Sequence, residues 1–151
     1  MKTSYIAYSL SPYHANLEKR LTKTPKVYFY DTGLLCFLLG IRNASDLNLH
    51  PLRGAIFENL AITELIMEKY NIGAFADFYY YRENGGREVD LLRVESSYMQ
   101  LYEIKSSSTY NKIFQKNLVY LKNLLGEQVK SSVVVYDGPT VSPIAINIKE
   151  L

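Results

Sequence analysis

Three acidic residues lie in surroundings that are unusual for a charged side chain. Glu58 falls in a helical pattern whose same-face neighbours are alanine, isoleucine and leucine. Asp90 lies in the run Val-Asp-Leu-Leu, and Glu103 lies in Leu-Tyr-Glu-Ile-Lys, which ends at Lys105. Burying a carboxylate is costly unless it is paired or holds a cation. These acids are therefore candidate functional residues.

Two carboxylates on adjacent strands can hold a hard divalent cation, Mg²⁺ or Mn²⁺, because such ions prefer oxygen ligands. The bound cation can activate a water molecule and offset negative charge on a phosphate. Lys105 falls on the same strand face as Glu103, where it can orient the attacking water and contact the phosphate. Glu58 can add a ligand from a helix. The pattern predicts phosphodiester hydrolysis with catalytic residues Glu58, Asp90, Glu103 and Lys105, of which the three acids bind the metal.

The same residues have a structural interpretation. Asp90, Glu103 and Lys105 can form an ion-pair cluster on one face of the sheet, with no ligand. The Glu-x-Lys spacing alone does not distinguish the two interpretations. The functional one depends on order along the chain, in which a helix acid precedes a hairpin acid, a Glu-x-Lys strand and a basic helix.

Hydrophobic periodicity defines the elements that must position these side chains. Asn84-Gly85 marks a hairpin between two of the strands, and Asp31 is a helix cap. A meander followed by a helical crossover predicts an α/β (α+β) fold with a mixed central sheet flanked by helices. We predict strands at 26–30, 75–82, 87–94, 99–105, 133–136 and 144–148, helices at 32–39, 51–70 and 111–125, irregular chain up to about 25, and a loop at 43–48.

The formal net charge of +2 hides an uneven distribution. Residues 1–26 carry five Lys or Arg against one acid, and the interval between Glu103 and Glu127 contains four lysines and no acid. Lys112 and Lys116 in that interval are either part of a solvated helix face or contacts for a nucleic-acid backbone.

Several classes of protein are excluded or disfavoured. The chain has 151 residues, 48% of them apolar, and one cysteine, so it is the size of one globular domain without an internal disulfide or a cysteine-based zinc site. Its longest apolar run is too short to cross a bilayer, and it does not begin with a signal peptide, so we expect a cytoplasmic location. It contains no Gly-x-x-x-x-Gly-Lys-Ser/Thr phosphate loop and is therefore not itself an ATPase.

The sequence resembles the core of the PD-(D/E)xK nuclease superfamily. More specifically, it resembles the carboxy-terminal domain of unknown function attached to a large family of prokaryotic AAA+ ATPases. The segments that carry this resemblance are Pro12-Tyr13-His14-Ala15-Asn16 with Lys19-Arg20, Pro25 to Leu34, Gly54-Ala55-Ile56-Phe57-Glu58-Asn59, Tyr81-Arg82 with Gly86-Arg87-Glu88-Val89-Asp90, and Glu103-Ile104-Lys105-Ser106.

The resemblance implies a restriction-endonuclease-like core at 26–151, an amino-terminal connector at 1–25 that comes from a larger protein, and an AAA+ ATPase domain as partner in that protein. It places the site at Glu58, Asp90, Glu103 and Lys105, with Mg²⁺ or Mn²⁺ as cofactor and DNA as substrate. It also makes Gln115 a candidate polar residue beside Lys112 and Lys116.

Two alternatives stay open. The domain can be a non-catalytic module that binds DNA or a protein for its ATPase. It can also be an assembly module whose Tyr5–Tyr13 segment pairs with another chain.

Overall fold

The computed structural model describes residues 6–14, 24–74, 76–141 and 143–151. Within these residues a mixed seven-stranded sheet is flanked by four α-helices, which confirms the predicted fold class. The basic residues Lys19, Arg20 and Lys23 lie outside the described residues. The elements are β1 (Ala7–Pro12), β2 (Lys26–Phe29), α1 (Thr32–Leu38), α2 (Ala44–Leu49), α3 (Arg53–Asn71), β3 (Asp77–Arg82), β4 (Glu88–Glu95), β5 (Tyr98–Lys105), α4 (Lys116–Leu125), β6 (Val129–Tyr136) and β7 (Ala145–Asn147).

The strand order across the sheet is β2-β1-β3-β4-β5-β6-β7. Strands β3, β4 and β5 form the predicted antiparallel meander. Strand β6 is parallel to β5, and α4 supplies the crossover that a parallel connection requires. The carboxyl ends of β5 and β6 therefore lie side by side, and Lys105 is the last residue of β5.

Both faces of the sheet are covered by apolar side chains. The face beneath α3 includes Tyr80 and Leu91, and the face beneath α4 includes Tyr81 and Leu92. Consecutive tyrosines thus point to opposite faces, as successive side chains of a strand do. Because both faces are buried, a charged residue on β4 or β5 leaves water unless it lies near a strand end.

The longest helix, α3, packs on one of these faces. It buries Ala61, Ile62, Leu65 and Ile66 in the core cluster against the sheet. Glu64 and Glu68 are exposed, as expected for a helix that covers a core with one side. None of the described helices combines the length and apolarity needed to cross a membrane.

Four sequence-based boundaries are wrong. Strand β6 begins at Val129, four residues before the predicted strand at 133–136. The segment predicted as irregular contains β1, which pairs with β2 and β3 of its own chain. The predicted loop at 43–48 contains α2, because the Asn43 side chain accepts a hydrogen bond from the Asp46 amide at 3.0 Å and so starts a helix. The helix predicted at 111–125 begins as a 3₁₀ turn, Lys112–Gln115, before α4. The division into a connector at 1–25 and a domain at 26–151 stays a prediction.

Candidate metal centre and nucleic-acid groove

Asp90 lies at an irregularity in β4. Tyr79 pairs with Leu92 and Tyr81 pairs with Val89, so β4 contains one extra residue between these two pairs. As a result, Val89 and Leu92 pack in the same core cluster although they are three positions apart. Extra residues of this kind break the alternation of side chains and redirect the residues inside them. The sequence-based expectation that Asp90 shares a strand face with Glu88 and Leu92 is therefore wrong for Leu92, which packs with Val89 instead.

The structure brings Asp90, Glu103 and Lys105 together. The Lys105 ammonium lies 2.6 Å from Oε1 of Glu103 and 3.8 Å from Oδ2 of Asp90. The same Oδ2 atom accepts a hydrogen bond from the Ile104 amide at 2.7 Å, which fixes the carboxylate against β5. Asp90 is 7% exposed and Glu103 is 5% exposed, so both acids are buried. Three of the four residues predicted for the site thus form one cluster.

The two acids are not neutralised by this arrangement. Burial, together with the charges of Glu103 and Glu58, raises the pKa of Asp90 to about 7. Burial also raises the pKa of Glu103, although Lys105 opposes the shift. Burial lowers the pKa of Lys105, but the nearby carboxylates outweigh that effect, so the pKa is raised and the group is an ammonium ion. Two buried carboxyl groups therefore share one ammonium ion, and ionising Asp90 next to Glu103 is unfavourable.

Glu58, the fourth predicted residue, is held by other partners. Its Oε1 atom accepts a hydrogen bond from the Tyr28 hydroxyl at 2.6 Å and one from the Lys26 ammonium at 2.9 Å. Its charge nevertheless contributes to the raised pKa of Asp90, so it lies within electrostatic range of the cluster. The structure places Glu58 beside the cluster with its carboxylate already bonded to two side chains.

The residues present fit a divalent cation in one respect. Oε2 of Glu103 is buried and has no hydrogen-bond partner among the described residues. The neighbouring Asp90 carboxylate can supply a second oxygen ligand for a metal ion. No group of three or more His, Cys, Asp or Glu side chains in the described ranges is arranged to hold one ion. Mg²⁺ is commonly bound by only one or two carboxylates and keeps several waters. Asp90 and Glu103 match that smaller set, and a third ligand from Glu58 stays a prediction.

A groove of about 710 Å³ opens beside the cluster. Glu103 and Lys105 lie on its strand side, the hairpin turn contributes Gly85, Gly86 and Arg87, and the opposite wall comes from the 3₁₀ turn and the start of α4. Lys116 lines this groove, whereas Lys112 and Gln115 are not among its lining residues. Of the three predicted nucleic-acid contacts, Lys116 is thus the one that shares the groove with Lys105. Binding by all three stays a prediction.

Side chains from three elements fix the wall of the groove. The hydroxyl groups of Tyr81 and Tyr120 donate hydrogen bonds to Oε1 of Glu83, at 2.6 and 2.7 Å. The Arg87 guanidinium lies 4.3 Å from the centre of the Tyr120 ring and 3.5 Å from the Glu83 carboxylate. The hairpin turn and α4 are therefore bound to each other next to the cluster. The sequence gives no signal for this contact, because 37 residues separate Glu83 and Tyr120.

Sequence reasoning also missed Lys26, Tyr28 and Glu88. Lys26 contacts both Glu58 and Glu88, and Glu88 also lies 3.3 Å from Arg82. The only available signal was that a lysine and a tyrosine alternate on one strand, which places them on one face. That spacing does not identify the acid on α3 that they bind.

Fold and cluster together define the class of this protein: an α+β domain whose mixed sheet carries a buried Asp-Glu-Lys cluster beside a groove. The chain belongs to a family described as a domain of unknown function (DUF4143), whose model matches residues 53–151. A second model, also described as a domain of unknown function (DUF8612), matches residues 1–45.

Two mycobacterial proteins are similar to most of this chain. They are the uncharacterized protein Mb2031c of Mycobacterium bovis and the uncharacterized protein Rv2008c of Mycobacterium tuberculosis. Each is 32% identical over 142 residues, which cover 93% of this chain and 30% of the relative. The chain thus spans about 30% of the length of these relatives. No solved structure matches the chain significantly.

Proposed function

We propose that this domain is a nuclease-like module that hydrolyses DNA phosphodiester bonds with Mg²⁺ or Mn²⁺. The observation that carries the proposal is the buried Asp90–Glu103 pair, in which two carboxyl groups share the one ammonium ion of Lys105 and Oε2 of Glu103 has no hydrogen-bond partner among the described residues. Buried charge that the protein leaves unmatched has a stability cost, and a bound cation offsets that cost. Perturbed acids beside a groove are typical of functional sites.

Each residue of the cluster has a distinct part in the proposed reaction. The metal ion, when bound, would lower the pKa of a bound water and offset charge on the phosphate. Asp90 and Glu103 hold the ion, and the Ile104 amide keeps the Asp90 carboxylate in place. Lys105 is protonated, so it contributes as a cation that orients water and contacts a phosphate oxygen rather than as a base. Its side chain is 36% exposed, which leaves it accessible from the groove.

Placement in the PD-(D/E)xK superfamily, with a restriction-endonuclease-like core, is part of this proposal. It is supported by the sheet, in which Asp90 and Glu103 come from adjacent antiparallel strands and a helix crosses from β5 to the parallel strand β6. We further propose that an AAA+ ATPase domain of the parent protein is the partner. The length of the relatives, of which this chain spans 30%, leaves room for such a domain.

The test is nicking of supercoiled plasmid and of branched DNA in the presence of Mg²⁺ or Mn²⁺. We expect Asp90→Asn and Lys105→Met to abolish nicking. Lys69→Met is the matched control, because Lys69 forms a partly buried ion pair with Glu95 at 3.1 Å and does not line the groove. Equal nicking by the wild type and Asp90→Asn would overturn the proposal.

A second function is favoured by the contacts of Glu58. Because Lys26 and Tyr28 occupy one of its oxygens, the cluster can be a structural ion-pair network inside a non-catalytic module that binds DNA or a protein. This alternative predicts metal-independent binding to DNA with a steep dependence on salt. Filter binding with EDTA and with Mg²⁺ distinguishes the two functions.

A further inference from the structure

Lys26 makes contacts that its sequence position does not suggest. It is the first residue of β2, yet its ammonium group contacts Glu58 on α3 at 2.9 Å and also contacts Glu88 on β4. The ammonium lies 5.3 Å from the centre of the Tyr80 ring on β3. Side chains from three other elements therefore enclose one positive charge, and the lysine side chain is only 21% exposed.

The surroundings of this ammonium resemble those of a bound cation. Two carboxylates face it, and the Tyr28 hydroxyl donates a hydrogen bond to the same Glu58 oxygen at 2.6 Å. Burial lowers the pKa of Lys26, but the two carboxylates outweigh that effect and raise it, so the charge is permanent at neutral pH. Mg²⁺ and Mn²⁺ likewise take carboxylate oxygens as ligands.

The position matters because of its neighbours. The charges of Glu58 and Glu88 act on Glu103, and the charge of Glu58 acts on Asp90. The four acids thus interact electrostatically as one group with two lysines. Lys26 lies between Glu58 and Glu88. Lys105 lies beside Asp90 and Glu103. The two lysines differ in their distances to these acids. Lys26 contacts both Glu58 and Glu88 closely, whereas Lys105 lies 3.8 Å from Asp90.

We propose that Lys26 is a positioning residue whose ammonium group takes the place of a divalent cation between Glu58 and Glu88, so that metal binding is directed to Asp90 and Glu103. The second half of this inference rests on the proposed function. Lys26 also fixes Glu58 in its rotamer together with Tyr28. The lysine therefore belongs to the site even though it does not line the groove.

The test is the number of Mn²⁺ ions bound per chain, measured by electron paramagnetic resonance and by calorimetry on the full chain. We expect one ion in the wild type and two in Lys26→Met, which keeps the aliphatic stem and removes the charge. Lys26→Arg should restore one ion. Adding Glu88→Gln to Lys26→Met should remove the second ion. Lys69→Met is the control, because its ion pair with Glu95 is of similar burial and should leave the number unchanged.

The outcomes separate this inference from the proposed function. One ion in both the wild type and Lys26→Met would overturn the role of Lys26 and leave the Asp90–Glu103 site standing. No ion in the wild type and one in Lys26→Met would support the role of Lys26 and overturn the metal site of the proposed function. No ion in either protein would overturn both.

If Lys26→Met does not fold, as judged by circular dichroism, Lys26→Gln serves in its place, because its amide still donates a hydrogen bond to Glu58.

Discussion

Strand β4 carries two buried charged residues three positions apart, and their surroundings differ. Arg93 is 8% exposed and Asp90 is 7% exposed, so each has lost most of its hydration. Arg93 bonds to Glu68 at 2.9 Å and to Gln100 at 2.7 Å, lies 3.4 Å from Glu95, and faces the Tyr102 ring. Asp90 is bonded to a backbone amide and lies beside another buried acid.

The two environments act on carboxylates in opposite directions. At the Arg93 end, a hydrogen bond from Tyr98, with Lys69 and Arg93, lowers the pKa of Glu95. At the Asp90 end, burial and the neighbouring acids raise the pKa of Asp90. The protein therefore matches charge internally at one end of β4 and leaves it unmatched at the other. Removing a charge should be costly at the first end and favourable at the second.

The largest effect is expected for Arg93→Met. The substitution removes the shared partner of Glu68, Glu95 and Gln100. We expect the free energy of unfolding, measured by urea denaturation, to fall by about 2 to 4 kcal/mol. Lys112→Met is the control, because Lys112 is exposed. A loss below about 1 kcal/mol would mean that the network is solvated rather than buried.

Asp90→Asn should have the opposite sign. In metal-free buffer at pH 8 it removes a buried charge but keeps an oxygen that accepts from the Ile104 amide, and we expect a gain of about 1 to 3 kcal/mol. Thermal unfolding should also show that millimolar Mg²⁺ raises the Tm of the wild type and not of the variant. Asp77→Asn, at an exposed position on β3, is the control. Destabilisation by Asp90→Asn would contradict this comparison.

The stability of the metal-free wild type should fall as pH rises. The pKa of Asp90 is raised from 3.8 to about 7 in the folded protein, so the folded state binds a proton more tightly than the unfolded state. The resulting stabilisation is complete below about pH 4 and is lost as pH rises through 7. Urea denaturation between pH 4 and 8 should show this decline in the wild type and a weaker one in Asp90→Asn. Parallel profiles in the two proteins would contradict it.

The smallest effect concerns the groove that opens at the Asp90 end. Lys116→Ala should weaken DNA binding several-fold. It should also reduce, by about one, the slope of the logarithm of affinity against the logarithm of salt concentration, because one fewer phosphate is neutralised. Lys122→Ala, on the same helix but not among the groove residues, should change both less. Fluorescence anisotropy at several salt concentrations measures this. Equal effects of the two substitutions would mean that DNA does not follow the groove.

Much of the fold was predictable because it depends on local pattern. Asp31 caps α1, Asn84-Gly85 turns the hairpin, and β3 to β5 lie close to their predicted positions. The failures have two different causes. Asn-rich sequence at 43–48 resembles a loop, but Asn43 caps α2, and β1 was missed because its pairing with β2 and β3 is non-local.

The sequence by itself determined which residues are candidates, because acids within apolar runs stand out against a pattern of period two or 3.6. It placed Asp90, Glu103 and Lys105 on neighbouring strands. In the structure the Lys105 ammonium lies 2.6 Å from the Glu103 carboxylate and 3.8 Å from the Asp90 carboxylate. Only the tertiary structure decided where Asp90 points, since the extra residue in β4 depends on pairing with β3. It alone decided that Lys26 pairs with Glu58, because contacts between residues 32 positions apart arise from packing, which no local pattern encodes.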